Sequence, residues 1–381
     1  MRDPSGAFSV LILDGESEFA LFATHCLARY PAVRIHALSG ERWAPIRFSR
    51  YLRSYTYDGA AANDGRRLER ISELVRRQKI DVLLPTGIAG IAFAVASRDA
   101  LASLTALAPV PDPAALALAS NKWLLAEFQR EHGIPGPPTV LVGDDEEFDR
   151  QIRELVFPVL LKPVSAWGGD GIERFETLPD LRRRLAGPSL KAAAGRYIVQ
   201  TLLPGHVVGI NVLAREGAML AATVQRGIIP NTRKYAAAGA IRFLREERAL
   251  ATAERIVSAL HWSGFANLDT LADSDDGQLK VLEINARFWG SLRGSLVAGV
   301  SFPYLACLAA LNRPFDRPEY EESRYFHTVT ALRESLRKVR GKGSVDGFDF
   351  RKTGLRFLAV DPLAEGLRAL HQRADRGEVA A

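Results

Sequence analysis

Apolar residues in the first hundred positions form short runs separated by stretches with helical spacing. "FSVLILD" (8–14) is an apolar run, "VRIHALS" (33–39) reads as a second strand, and "DVLLPT" (81–86) reads as a buried one. Between them, "SEFALFATHCLARY" (17–30) and "GRRLERISELVRRQKI" (65–80) carry the periodicity of helices, and an alanine-rich helix follows to about residue 100. Strands alternating with helices predict a parallel sheet covered on both faces, a Rossmann-like α/β unit. No Gly-x-Gly-x-x-Gly follows the first strand, so dinucleotide binding has little support.

The stretch 105–142 is a boundary. Prolines at 109–113 lead into a helix with Asp112 as its N-cap, and "HGIPGPP" ends it. Beyond it strands come in pairs: 157–162 with 171–176, then 196–201, 207–215, 218–226, 264–272 and 278–285. Pairs joined by short turns predict antiparallel sheet, an α+β arrangement with helices at 144–155, 178–186, 245–260 and 302–311. In the tail, "FHTVTAL" and "GLRFLAV" look like strands and "PLAEGLRALHQRA" like an amphipathic helix.

Two stretches bear candidate chemistry. In "KVLEINARF" strand alternation places Glu283, Asn285 and Arg287 on one face. The turn "DSDDG" centres near 275–276, so Asp269 in "FANLDTLAD" falls roughly opposite Glu283. Two carboxylates and an amide oxygen are hard ligands suited to Mg²⁺ on phosphates, with an arginine beside them for developing charge. The same pattern also fits the polar face of a half-exposed hairpin with Glu283 and Arg287 paired. In "LLKPVSAWGGDGIERF" (160–175) a lysine precedes three close glycines, which is not a P-loop, where Gly-Lys-Ser/Thr opens a helix. By itself it is equally a hairpin turn.

Composition narrows the class. The chain of 381 residues is 47% hydrophobic and 25% charged, with mean hydropathy near zero, as in globular proteins. It shows no bilayer-length apolar run and no signal-peptide stretch at its N-terminus. Only Cys26 and Cys307 are present, which fits a reducing cytoplasm. The net charge of +6 comes from 50 Lys+Arg against 44 Asp+Glu, a mixed surface. No basic stripe with interleaved aromatics marks a nucleic-acid binder, and neither a Gly-x-Ser-x-Gly elbow nor zinc-type Cys/His spacing is present.

Four pieces in order, "SNKWLLAEFQREHGIPGPPT", "FPVLLKPVSAWGGDGIERF", "YIVQTLLPGHVVGINV" and "VLEINARFWGS", resemble the ATP-grasp superfamily of carboxylate–amine ligases from about Asp112 to Leu311. The resemblance implies a pre-ATP-grasp domain at 1–111, an ATP-grasp domain at 112–312 with a lid-like subdomain at 139–204, and a C-terminal extension at 313–381. It implies that Lys122 and Lys162 contact ATP phosphates, and that Gly168, Gly169 and Gly171 belong to a loop folding over the triphosphate. Gln200, Leu202 and Leu203 would line the adenine, with His206 where the family often has a ribose-binding glutamate. Asp269, Glu283 and Asn285 would hold Mg²⁺, normally two ions with Mn²⁺ as substitute, and Arg287 would stabilise the transferring phosphoryl group.

The implied activity is ADP-forming ligation of a small carboxylate to an amine through an acylphosphate, without nucleic acid or membrane. A bicarbonate-using carboxylase, an acid–thiol ligase and a non-catalytic ATP binder are the alternatives, and the oligomeric state, homodimer included, stays open. For the substrates, the loop "TVQRGIIPNTRKYAAAGA" (223–240) offers Gln225, Arg226, Arg233 and Lys234, and "FWGSLRGS" offers Ser291 and Arg293.

Overall fold

Residues 8–12 are buried along their whole length, and the strand they form, β1 (Phe8–Ile12), pairs in parallel on both sides. The computed structural model describes residues 6–59, 64–143, 146–166, 169–187, 195–231, 238–341 and 347–374. After β1 come α1 (Glu18–Leu27), β2 (Val33–Ser39), β3 (Leu52–Tyr57), α2 (Asp64–Gln78) and β4 (Val82–Leu84). Two helices follow, α3 (Ile88–Ala96) and α4 (Arg98–Leu104), where the sequence suggests one, and then β5 (Ala106–Leu107). The parallel sheet runs β3-β2-β1-β4-β5. Strand order therefore reverses between β1 and β4, and a crevice lies beyond their carboxyl ends. Asp14 is buried there, accepting from the N–H groups of Thr86 and Gly87.

The helix expected after Asp112 is also two. Asp112 caps α5 (Pro113–Ala119) by accepting from Ala115 N–H, and Asn121 caps α6 (Lys122–Glu131) by accepting from Trp123 and Leu124. An Asn carboxamide competes for backbone donors, which breaks one helix and starts the next. Next come β6 (Thr139–Leu141), α7 (Glu146–Glu154), β7 (Val159–Pro163), β8 (Glu173–Phe175), α8 (Leu178–Leu185) and β9 (Tyr197–Thr201). They build an antiparallel sheet ordered β6-β9-β7-β8. Its core joins Phe148 and Ile152 of α7 and Leu181 of α8 to Val159, Leu161 and Val199.

The third sheet contains β10 (Gly205–Arg215), β11 (Ala218–Ile229), β12 (Ala240–Leu244), β13 (Gly264–Asp273), β14 (Leu279–Asn285) and β15 (Arg324–Phe326). Its order is β14-β13-β10-β11-β12-β15, so the C-terminal extension supplies one edge. Alternation divides its faces. Val208, Ile210, Val212, Leu268 and Ile284 pack on Ala253, Ile256 and Val257 of α9 (Glu247–Ala259). The opposite face carries the candidate chemistry, bordered by an apolar cluster that includes Leu213, Ala221, Phe265, Phe288, Trp289 and Leu292. Leu292 opens α10 (Leu292–Ala298), and α11 (Phe302–Ala310) follows; α1 packs on both, joining the parallel-sheet unit to this side of the large sheet.

Two tail segments correct the expectation of strands. Most of "FHTVTAL" lies in α12 (Thr328–Val339), and "GLRFLAV" forms α13 (Leu355–Val360). Burial of Ala331 and Glu334 on one side of α12, and of Phe357 against Arg293 and His25, overrides the local β preference of their branched and aromatic residues. The amphipathic helix expected at 362–374 is α14 (Pro362–Ala374).

Candidate functional site

The β13–β14 hairpin pairs Asp269 directly with Glu283 and Asn267 with Asn285. Asn285 Nδ2 lies 3.1 Å from Glu283 Oε1 and 3.4 Å from Asp269 Oδ2, and its Oδ1 accepts from Arg287 Nη2 at 3.2 Å. Burial, then the Glu283 charge, raises the Asp269 carboxyl well above the ordinary carboxylate range. Burial also pulls Arg287 below its ordinary value, while Asp269, Glu18 and Glu283 oppose the change. The guanidinium lies 5.0 Å from the Phe19 ring centre, and Phe288 N–H donates to Thr86 O. The hairpin thus meets the switch-point crevice of the parallel sheet at Arg287.

Two lysines approach from the other side. Lys122, in the first turn of α6, donates from Nζ to Ala166 O at 2.5 Å and stands 3.7 Å from Glu283 Oε2. Lys162, near the end of β7, donates from Nζ to Gln200 Oε1 at 2.6 Å. Burial lowers its ammonium to about 8, partly offset by Glu283 and reinforced by Lys122. Gln200 in β9 is buried and donates from Nε2 to Thr139 Oγ1 at 2.9 Å. Leu202 and Leu203 are half-buried after β9, and the Leu202 N–H is engaged by Pro158 O at 2.9 Å. Gly169 and Gly171 lie in the β7–β8 connection with φ of +82° and +71°, and a Cβ at 171 would meet Pro163 Cγ at 2.9 Å. Both therefore need glycine's left-handed freedom. Gly168 lies outside the described residues, as do Arg233 and Lys234.

The sheet extends the site sideways. One row of paired residues runs Glu283, Asp269, Gly209, Gln225, and the next runs Asn285, Asn267, Asn211, Thr223. Ser291 Oγ donates to Gln225 Oε1 at 2.7 Å. Asn267 Nδ2 donates to Asn211 Oδ1 at 3.0 Å, Asn211 Nδ2 to Thr223 Oγ1 at 3.1 Å, and Thr223 Oγ1 lies 3.3 Å from Ser295 Oγ. Sequence reasoning missed this amide row, although Asn267 lies two residues before Asp269 and so shares its strand face. It also missed Thr139, whose partner is 61 residues away. His206 and Arg226 are exposed neighbours, 3.5 Å apart.

Arg293 is a correction: it does not line the cleft. It is 2% exposed, donates to Glu365 Oε1 at 2.6 Å, and lies near the rings of Phe22 and Phe357. Helical geometry explains the miss, because two residues past Ser291 points to a different side of α10.

Asp269 and Glu283 fit a hard divalent cation, with Asn285 as a third donor once its carboxamide turns Oδ1 toward them in place of Nδ2. A cation would relieve the burial and the like charge that raise the Asp269 carboxyl. Among the described residues no group of three His, Cys, Asp or Glu converges, so the amide is needed as the third protein donor.

A family model described as ATP-grasp in the biosynthetic pathway with Ter operon matches residues 194–334. The chain is 27% identical over 187 residues to the vancomycin C-type resistance protein VanC1 of Enterococcus gallinarum, covering 45% of this chain and 54% of that one. It is 25% identical over 180 residues to a carbamoyl-phosphate synthase of Methanobrevibacter smithii, covering 45% and 47%. The chain thus spans about half the length of the curated relatives it matches. Among solved structures, the N5-carboxyaminoimidazole synthetase of Staphylococcus aureus complexed with ADP superposes with a TM-score of 0.68 at 15% identity, over 89% of this chain and 88% of that one. The L-amino acid ligase of Bacillus licheniformis superposes with a TM-score of 0.58 at 16% identity, over 82% and 76%. Parallel sheet, small antiparallel sheet and large antiparallel sheet follow one another as in these structures, so the chain has the ATP-grasp fold, and residues 194–334 match an ATP-grasp family model.

Proposed function

We propose that this protein is a ligase that activates a carboxylate with MgATP and joins it to an amine, releasing ADP and phosphate. One observation carries the reading: Lys122 and Lys162 converge on the same hairpin that presents Asp269, Glu283, Asn285 and Arg287. Nucleotide lies between the two antiparallel sheets, with adenine at Gln200, Leu202 and Leu203, ribose near His206, and phosphates at the lysines beneath the loop with Gly168, Gly169 and Gly171. Asp269, Glu283 and Asn285 would hold magnesium, which would supply charge neutralisation for the phosphates.

The substrate carboxylate oxygen forms a bond to the γ-phosphorus while the β–γ bridging bond breaks, leaving ADP and an acylphosphate. Arg287 stabilises charge on the transferring group from the crevice side, where the parallel-sheet unit meets it. The amine nitrogen then attacks the acyl carbon, phosphate leaves, and the amine gives up its proton to solvent or to phosphate. No side-chain nucleophile is required, since the residues act by positioning and charge. Gln225, in the row that continues from Asp269, and Ser291, which donates to it, bind the acceptor side, with Arg226 of β11 nearby; Arg233 and Lys234 stay candidates from the sequence alone.

The likeness to an L-amino acid ligase supports amide formation, and the likeness to a carbamoyl-phosphate synthase supports a second reading with bicarbonate as the carboxylate. Phosphate release from MgATP, measured across amino acids, other carboxylates and amines, and across bicarbonate alone, tests both. Stimulation by a carboxylate–amine pair with a matching amide product is the expected result. Stimulation by bicarbonate alone favours the second reading, and none with ATP still bound defeats both.

A further inference from the structure

A glutamine beside a nucleobase is ambiguous, because its carboxamide presents an acceptor on one side and a donor on the other. We infer that Thr139 locks Gln200 with its carbonyl facing the base, and so makes the site select a 6-aminopurine over a 6-oxopurine. The inference rests on the proposed nucleotide site. Thr139 Oγ1 has one hydrogen and donates it to Pro137 O at 2.8 Å. It therefore has only lone pairs left for Gln200, and the group facing it at 2.9 Å must be the amide nitrogen. The other side of the carboxamide, Oε1, is then the one turned toward Lys162 Nζ at 2.6 Å.

Reversing the amide would leave Pro137 O without its donor or set two donors against each other at Thr139. It would also point an NH₂ at the Lys162 ammonium. Both Thr139 and Gln200 are buried, so water does not cover these losses. A carbonyl oxygen has two lone pairs and accepts from an adenine amino group while Lys162 is still near. Guanine brings an acceptor, O6, to the same position and meets oxygen against oxygen. Once phosphates draw Lys162 away, Thr139 is the constraint that persists. Thr139 is thus a positioning residue: it acts on the base through Gln200.

Equilibrium titrations of the full chain with MgATP and MgGTP test this. Thr139→Val keeps the side-chain shape, frees the carboxamide, and lowers the ATP-over-GTP preference at least about tenfold, the worth of about one hydrogen bond. Thr139→Ser retains the hydroxyl and the preference. Thr139→Val combined with Gln200→Glu recovers the preference, because a carboxylate has no donor side to present. A valine variant within about twofold of the wild type, or a serine variant as relaxed as valine, overturns the inference. So does a double variant that stays relaxed. A wild type that binds no ATP instead defeats the nucleotide site on which the inference stands.

Discussion

Two groups of charges are withdrawn from water in this molecule, and their carboxyls shift in opposite directions. At the hairpin, Asp269 and Glu283 lie side by side, and burial with a like charge pushes Asp269 up. Beneath α14, Glu365 accepts from Arg293 at 2.6 Å and from Arg368 at 3.0 Å. Asp361 accepts from Ser49 Oγ and Arg50 N–H and faces His25 Nε2 at 3.1 Å. Burial alone would raise both acids, but Arg293 and Arg368 hold Glu365 below its ordinary value, and hydrogen bonds from His25 and Ser49 do the same for Asp361. His25 is close enough to Asp361 for an ion pair, yet burial lowers its pKa, so we read the contact as a hydrogen bond from a neutral ring. In one group Arg293 and Arg368 outweigh burial at Glu365; in the other, burial and Glu283 outweigh Arg287 at Asp269, although Lys122 stands 3.7 Å from Glu283. That difference separates structure from function more cleanly than burial does.

The sharpest way to break the comparison is to remove one acid from each group. Glu365→Ala strands Arg293 and costs about 3–5 kcal/mol of stability, read as a lower urea midpoint. Glu283→Gln lowers turnover by about 10²–10³-fold with a smaller change in MgATP affinity, a loss typical of removing one charge-stabilising group. The same substitution relieves like-charge repulsion and raises stability by about 1 kcal/mol, opposite in sign to the Glu365 change. Equal destabilisation by both variants in thermal melts would erase the distinction.

Acid should loosen the α14 group. A depressed histidine stabilises the fold above its unfolded value, and a depressed carboxylate does likewise. Stability therefore falls as pH drops through 6.5 for His25 and again below 4.5 for Glu365. Urea midpoints measured from pH 8 to 4 check this, and His25→Gln should flatten the upper part. The smallest effect is at Lys162. Its ammonium is lowered to about 8, so ATP affinity weakens as pH rises through that value and the lysine loses charge. Gln200→Glu supplies a neighbouring negative charge and moves the decline to higher pH, visible in titrations between pH 7 and 9.5.

The hairpin was legible because everything that fixes it is local. A tight turn sets the register and a period of two sets the face, so Asp269 opposite Glu283 followed from spacing alone. The paired strands of the small sheet were legible for the same reason. The α14 group was not, because His25 and Asp361 are 336 residues apart and nothing near either one announces the other. Arg293 was misplaced for lack of that partner: beside a candidate cleft, an arginine reads as a ligand group until Glu365 is seen. α12 and α13 were misread because short runs with valine, threonine and phenylalanine suit either state, and burial against distant residues decides between them. Thr139 carried no signal in "GPPTVLV", since its role depends on a strand neighbour and on a proline carbonyl two residues back.

Glu365 also sets an order of events during synthesis. Arg293 leaves the ribosome well before its acceptor does, so that guanidinium has no Glu365 to pair with until α14 emerges. A nascent chain that stalls before residue 365 keeps an unmatched cation where the finished protein has dry packing, and stays open to chaperones and proteases.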